Sequence, residues 1–203
     1  MILYAAATKN STSDNIVYIL PSEKEFTVIE KNQTSGLIEL ISKVNSLSEI
    51  ETSTNTTFYS TSNSFTLLPE LSLDNISKHE IKTFLDWKDD DKNEILSSNV
   101  SFSNVNIVFQ EDTLKLKKEI NSVSISHFAN LVVSYTVKQN WTNGITCVTL
   151  GNKTFIALVK NSKFEVCNSF QVNNNEEIMY YIMMFLQEYD LSQEETIVDI
   201  FGE

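Results

Sequence analysis

The stretch from Ile145 to Phe201 constrains the fold more than any other part of the chain. Three apolar runs, Ile145–Leu150, Thr154–Lys160 and Phe164–Val172, follow one another with only a few residues between them, and the first break is Gly151-Asn152. Such short breaks join antiparallel neighbours, and Gly-Asn suits a two-residue hairpin turn, so the runs read as a meander of three strands. In "NNNEEIMYYIMMFLQEYDL", Ile178, Tyr181, Ile182, Phe185 and Tyr189 then recur at helical spacing, and Met179, Met183 and Leu186 widen the apolar surface. A helix apolar over so wide an arc packs against more than one neighbour. The run "TIVDIF" closes the stretch as a further strand.

The beginning of the chain has a comparable pattern. Strands are predicted at Ile2–Ala7, Ile16–Leu20 and Phe26–Glu30, with the turn-rich "KNSTSDN" and "PSEKE" between them. A helix is expected over Ser35–Leu47, where Leu37, Ile38, Ile41, Val44 and Leu47 fall on one helical face. Extended chain follows at Phe58-Tyr59 and Phe65–Leu68, and Pro69 ends the second run because it has no amide to extend a ladder. The middle reads as a helix at Ile76–Trp87, strands near Val100–Phe102 and Val105–Phe109, and helices at Thr113–Ile120 and His127–Val137.

Hydrophobic residues make up 41% of the 203, enough for a sizeable core. The net charge is −12, and all fifteen basic residues are Lys. A chain that acidic, without Arg to read base edges, is a poor partner for nucleic acid and for anionic membrane surfaces. No apolar run is long enough to span a bilayer, and the start lacks the basic region of a secretory signal, so no membrane insertion and a cytoplasmic location are expected. Cys147 and Cys167 fall on the outer strands of the predicted meander, about 9–10 Å apart across the middle strand, beyond disulfide reach. They read as buried free thiols.

Two stretches carry a family resemblance. "FYSTSNSFTLLPELSLDN" (Phe58–Asn75) and "CNSFQVNNNEEIMYYIMMFLQEYDL" (Cys167–Leu191) resemble, in order and separation, two motifs of an uncharacterised bacterial domain-of-unknown-function family. The resemblance implies an α/β fold of the actin-like ATPase (ribonuclease H-like) type, shared with sugar kinases, heat-shock chaperones and actin. Each half of that fold is a three-strand meander, a crossover helix and a further strand. On this reading residues 1–138 form a first half with an inserted α/β segment, and residues 139–203 form a second, incomplete half. The second half is either naturally shortened or cut from a longer chain, and one face of its last strand is expected to seek a partner.

The same resemblance directs attention to the first turn of each meander, where actin-like ATPases hold phosphate with Gly amides and an Asp that positions hydrated magnesium. Here the first turn would be Ala7–Asn15, with no Gly and only Asp14 as an acid; the second has Gly151, Asn152 and Lys153 and no Asp. A lone Lys beside Gly-Asn is equally an ordinary hairpin. The long helix is no better as an anion site, since Asn174 or Asn175 caps it and Glu176 and Glu177 occupy its first turn. Asp89, Asp91 and Asn93 have the spacing that opens a calcium loop, without its Gly or its closing Glu. His79 and His127 lack metal-ligating or triad partners. Tyr180, Tyr181, Met183 and Met184 suit either a partner groove or a core helix.

The sequence therefore predicts a noncatalytic binding or assembly module for an unidentified protein partner, without cofactor, metal or catalytic residue. Its partner contacts are expected at Phe65, Leu67, Leu68 and Pro69 and along the last strand. The alternative is an ATP-binding protein with an unusual phosphate site at Asp14, Gly151, Asn152 and Lys153.

Overall fold

Burial on every second residue of Asn15–Pro21 marks a strand with one face in a core, and it begins the first sheet of the computed structural model. The structure describes residues 15–22, 24–50, 55–69, 75–85, 87, 93–100, 103–120 and 123–202. In chain order the elements are β1 (Asn15–Pro21), β2 (Phe26–Asn32), β3 (Ile38–Val44), a 3-10 turn (Leu47–Glu49), β4 (Thr56–Ser60), β5 (Phe65–Pro69) and α1 (Lys78–Phe84). They continue as β6 (Glu94–Asn99), β7 (Val105–Glu111), α2 (Thr113–Glu119), β8 (Val123–His127) and α3 (Phe128–Lys138). β9 (Gly144–Leu150), β10 (Lys153–Lys160), β11 (Lys163–Gln171), α4 (Asn175–Glu188) and β12 (Ile197–Phe201) complete the chain.

Two compact units divide these elements. The first comprises Met1–Thr61, Lys88–Leu96 and Gln110–Ser126. Its sheet has the order β3-β2-β1-β4-β8, with β1 antiparallel to β2 and parallel to β4. Val17, Ile19, Val28 and Phe58 project from the sheet into a core closed by Leu47 and by Leu116 and Ile120 from the α2 segment.

The expected helix at Ser35–Leu47 is instead β3 and the 3-10 turn. The cause lies just upstream. The Asn32 side chain accepts from the amides of Thr34 and Ser35 at 3.0 and 2.9 Å, and Gly36 takes φ +71°. Those contacts reverse the chain after β2, and β3 returns along it with Ile29 opposite Ile41. Leu37, Ile38 and Ile41 have helical spacing but remain 68%, 59% and 41% exposed, so their spacing served no buried helical face. β8 went unread in the sequence, and the predicted strand at Ile2–Ala7 lies outside the described residues. Of the strand expected near Val100–Phe102, residues 101 and 102 lie outside the described residues; the described strand, β6, ends just before Val100.

The second unit comprises Ser62–Trp87, Ser97–Phe109 and His127–Glu203. Its main sheet has the order β11-β10-β9-β12, antiparallel through the meander and parallel between β9 and β12. Every residue of β10 from Thr154 to Val159 is buried, because helices cover both faces. Phe155 meets Phe128 of α3 at 5.1 Å between ring centroids, while Ile156 and Leu158 pack with Ile178, Ile182 and Phe185 of α4. Successive strand residues point to opposite faces, so α3 and α4 lie on opposite sides. In a smaller sheet, order β5-β7-β6, β5 pairs antiparallel with β7.

The ends of α4 follow from its sequence. The Asn174 side chain accepts from the Glu177 amide at 2.9 Å, and Glu177 accepts in return from the Asn173 amide at 2.8 Å. At the other end Asp190 takes φ +50°; its amide donates to Gln187 O at 3.2 Å and the Leu191 amide to Leu186 O at 2.8 Å. This is a Schellman stop with Asp in the usual glycine position, fastened by burial of Leu186 and Leu191.

Candidate functional site

The turns between the first two strands of each meander are the places where this fold would meet phosphate. In the first unit that turn is Ser22–Glu25, between β1 and β2, because β1, β2 and β3 are its antiparallel strands. Residues 7–14 of the turn expected at Ala7–Asn15, Asp14 among them, lie outside the described residues. The turn closes on itself: the Ser22 amide and hydroxyl both donate to Glu25 O, at 2.8 and 3.1 Å. It has no glycine, Lys24 lies within it, and Glu25 is engaged by an ion pair with Lys43.

In the second unit the turn is Gly151-Asn152. Gly151 takes φ +62°, which a side chain rarely adopts, and Leu150 opposite Lys153 forms the last rung of the ladder. The Thr149 and Thr154 hydroxyls bond at 2.9 Å below it, and Asn152 O accepts from the Val172 amide at 2.8 Å. Gly151, Asn152 and Lys153 are thus brought together as a two-residue hairpin. The Lys153 charge acts on His127, and no carboxylate lies in this turn.

His127 is fully buried at the start of α3. Its Nδ1 accepts from the Ala129 amide at 3.2 Å, which leaves Nε2 to donate to Ser62 O at 3.0 Å. Both ring nitrogens are therefore used in the neutral form. Phe65, Phe109 and Phe155 surround the ring at 4.4, 5.1 and 6.0 Å between centroids. Loss of hydration pushes its pKa down to about 4, with the Lys153 charge acting in the same direction against the Ser62 bond. The group is a helix cap in an aromatic box. Its neighbour Phe65 packs inward, Leu67 is half-buried, Leu68 is buried and Pro69 is exposed.

Cys147 and Cys167 are buried free thiols on either side of β10, and burial pushes the Cys147 thiol up to about 11 and raises Cys167 further. Asp89 and Asp91 lie outside the described residues, and among the described residues no three His, Cys, Asp or Glu side chains converge as metal ligands. Among those residues, too, no helix is long and apolar enough to cross a membrane.

Apart from Phe84 of α1 and Leu131 of α3, the exposed large apolar side chains described in the second unit lie on α4 and β12. Ile178, Ile182, Phe185 and Leu186 of α4 face the sheet, while Met179, Tyr180 and Met183 are 50%, 64% and 41% exposed. A groove of about 580 Å³ runs along Tyr180, Met183, Met184 and Asp190. Another of about 340 Å³ lies between Ile178 and Met179 of α4 and Ile200 and Phe201 of β12. Tyr135 of α3 donates to Asp199 at 2.8 Å and stands edge-on to Phe201, fixing that side of the strand. Helical and strand periodicity foretold the inward residues, whereas the expectation that the last strand is exposed came from the family resemblance and not from local spacing.

The family described as "Protein of unknown function (DUF3822)" matches residues 9–203. No curated protein sequence matches the chain. Among solved structures it is similar to a Bacteroides thetaiotaomicron protein with an actin-like ATPase fold and unknown function, at 12% identity and TM-score 0.79, over 98% of this chain and 86% of that one. It is similar also to the cytoplasmic domain of EpsL, an inner membrane component of the type II secretion system of Vibrio cholerae, at 10% identity and TM-score 0.50, covering 93% of this chain and 84% of that one. A third likeness is to a PilM–PilN type IV pilus biogenesis complex, at 6% identity and TM-score 0.54, covering 87% and 66%. At such identities the likeness is one of fold, and the fold is the actin-like ATPase α/β architecture.

Proposed function

Since the chain belongs to the family described as "Protein of unknown function (DUF3822)" and has the actin-like ATPase fold, we propose that it works as a noncatalytic binding or assembly module in the cytoplasm, holding a protein partner. The observation that carries this reading is the chemistry of the two meander turns. One is glycine-free and bonded to itself, with its Glu25 engaged by Lys43; the other is a minimal hairpin without a carboxylate for magnesium. Electrostatic stabilisation of a transferred phosphoryl group requires convergent amides, cations and metal, and neither turn offers that set. The similarity in fold to EpsL and to the PilM–PilN complex, both parts of larger assemblies, supports a binding role. Two buried free thiols support a reducing compartment.

Partner contact in this reading falls on the uncovered surface of α4 and β12. β5 contributes Pro69 and its outer edge rather than Phe65 or Leu68, which pack inward.

Thermal unfolding with and without millimolar Mg-ATP or Mg-ADP tests the proposal. A ligand at 100 times its Kd stabilises by about 2.7 kcal/mol, which in a chain of this size moves Tm by roughly 5–10 °C. No shift is expected. A shift of several degrees would establish the nucleotide-binding reading instead and direct mutagenesis to Asp14, Gly151, Asn152 and Lys153.

A further inference from the structure

The two main sheets share an order through their first four strands, β3-β2-β1-β4 in one and β11-β10-β9-β12 in the other. They differ in what lies beside the fourth. In the first unit β8 flanks β4, and Thr56, Phe58 and Ser60 are buried, Phe58 at 5% exposure. In the second unit no described strand flanks β12, and Ile197, Val198, Ile200 and Phe201 stand 48%, 36%, 53% and 43% exposed. The strand has no Lys, no Pro and no bulge, and its one charge, Asp199, is engaged by Tyr135.

The polarity of that edge can be read from the ladder. The Ile197 amide donates to Asn143 O at 3.3 Å, toward β9. Backbone groups alternate along a strand, so Asp199 and Phe201 also address β9, while the amides of Val198 and Ile200 point outward. Beside them the groove of about 340 Å³, lined by Ile178, Met179, Ile200 and Phe201, is open to an apolar side chain.

Charge decides what kind of strand fits. Residues 164–203 contain nine Asp and Glu and no Lys, Arg or His. Glu194 and Glu195 precede β12 with only Thr196 between, and Asp199 lies within the strand. A second copy of this chain would bring the same carboxylates to the same edge, and like charges across a strand pair oppose pairing.

We propose that the outer edge of β12 accepts a fifth strand from a partner protein, an extended segment of alternating apolar residues flanked by Lys or Arg. Main-chain bonds to Val198 and Ile200 supply the pairing, the groove beside Ile200 takes one apolar side chain, and the surrounding carboxylates select the basic flanks. The inference rests on the binding-module reading and names the chemistry of its partner.

The test uses the whole chain, isotope-labelled, with two synthetic peptides of about nine residues. Both alternate Val and Thr; one carries Lys at each end and the other Glu. The Lys-ended peptide should slow hydrogen exchange at Val198 and Ile200, leave Ile197 and Asp199 unchanged, and bind at least about tenfold more tightly than its Glu-ended counterpart. Ile200→Pro removes an outward amide and leaves the β9 ladder intact, so it should abolish peptide binding. In case that variant misfolds, Glu194→Gln with Glu195→Gln, both on the surface, should shrink the preference for the Lys-ended peptide. Unchanged exchange at Val198 and Ile200, equal binding of the two peptides, or protection of the edge by self-association in sedimentation would each overturn the proposal. A Tm shift with Mg-ATP and no change at these amides would instead mark failure of the noncatalytic reading.

Discussion

His127 is the residue at which position governs chemistry most directly. Protonating Nδ1 would break its bond from the Ala129 amide and put a cation among Phe65, Phe109 and Phe155, with the Lys153 charge already opposed. With a folded pKa of about 4 and an unfolded value near 6.5, the unfolded chain takes up this proton first as pH falls. Stability from this group is therefore complete above about pH 6.5 and is lost between there and about pH 4, up to roughly 3 kcal/mol in all. Urea unfolding across that range should show the loss. His127→Asn, which keeps a capping side chain, should be less stable at neutral pH and should lack the same share of pH dependence. Equal slopes for the two proteins would refute the assignment. Gly144 shows a residue-level constraint of another kind. A Cβ there would meet Trp141 Cε3 at 2.1 Å, so the first position of β9 has room for hydrogen alone. Sequence shows that a His begins an apolar segment and that a Gly begins a strand; the aromatic box and the Trp141 ring come from tertiary packing.

At the scale of elements, β4 and β12 form a natural experiment. Both are short strands, each parallel to the first strand of a meander, and among the described strands only β4 has a neighbour beyond it. Phe58→Ala should cost about 3–5 kcal/mol, since a large buried side chain is lost from a closed core. Ile200→Thr should change stability by about 0.5 kcal/mol or less, because much of the side chain is already in water. Chemical denaturation of both variants gives the comparison, and similar losses would mean that β12 is covered in solution. The second meander, α4 and β12 were legible because turn chemistry, strand alternation and helical spacing all agreed there. β3 was misread because Leu37, Ile38 and Ile41 have helical spacing while the Asn32–Gly36 turn returns the chain along β2. β8 was missed because "VSISH" alternates too weakly over five residues to announce a strand.

For the molecule as a whole, charge distribution matters more than net charge. Nine of the 27 acidic residues lie in the last forty positions, where no basic residue offsets them. Repulsion among them opposes compaction and weakens as salt shortens the Debye length from about 30 Å at 0.01 M to about 8 Å at 0.15 M. Stability should therefore rise by about 1 kcal/mol over that range, or roughly 2–4 °C in Tm. Replacing Glu188, Glu194 and Glu195 together with Gln should flatten the dependence. A Tm independent of salt in the parent protein would show that these carboxylates do not destabilise the fold.

The sequence alone determined the second meander, its helix and final strand, and the free state of the cysteines. Each depends on local spacing or on which residue types are present, and neither needs a distant contact to be read. Tertiary structure decided that residues 38–44 pair with β2 and that the first meander's opening turn is Ser22–Glu25. It also decided that Phe65 packs on His127 and that no described strand pairs with the outer edge of β12. Strand partnership and burial depend on segments far apart in the chain, so the same apolar pattern encodes Phe58 in a core and Ile200 at a surface.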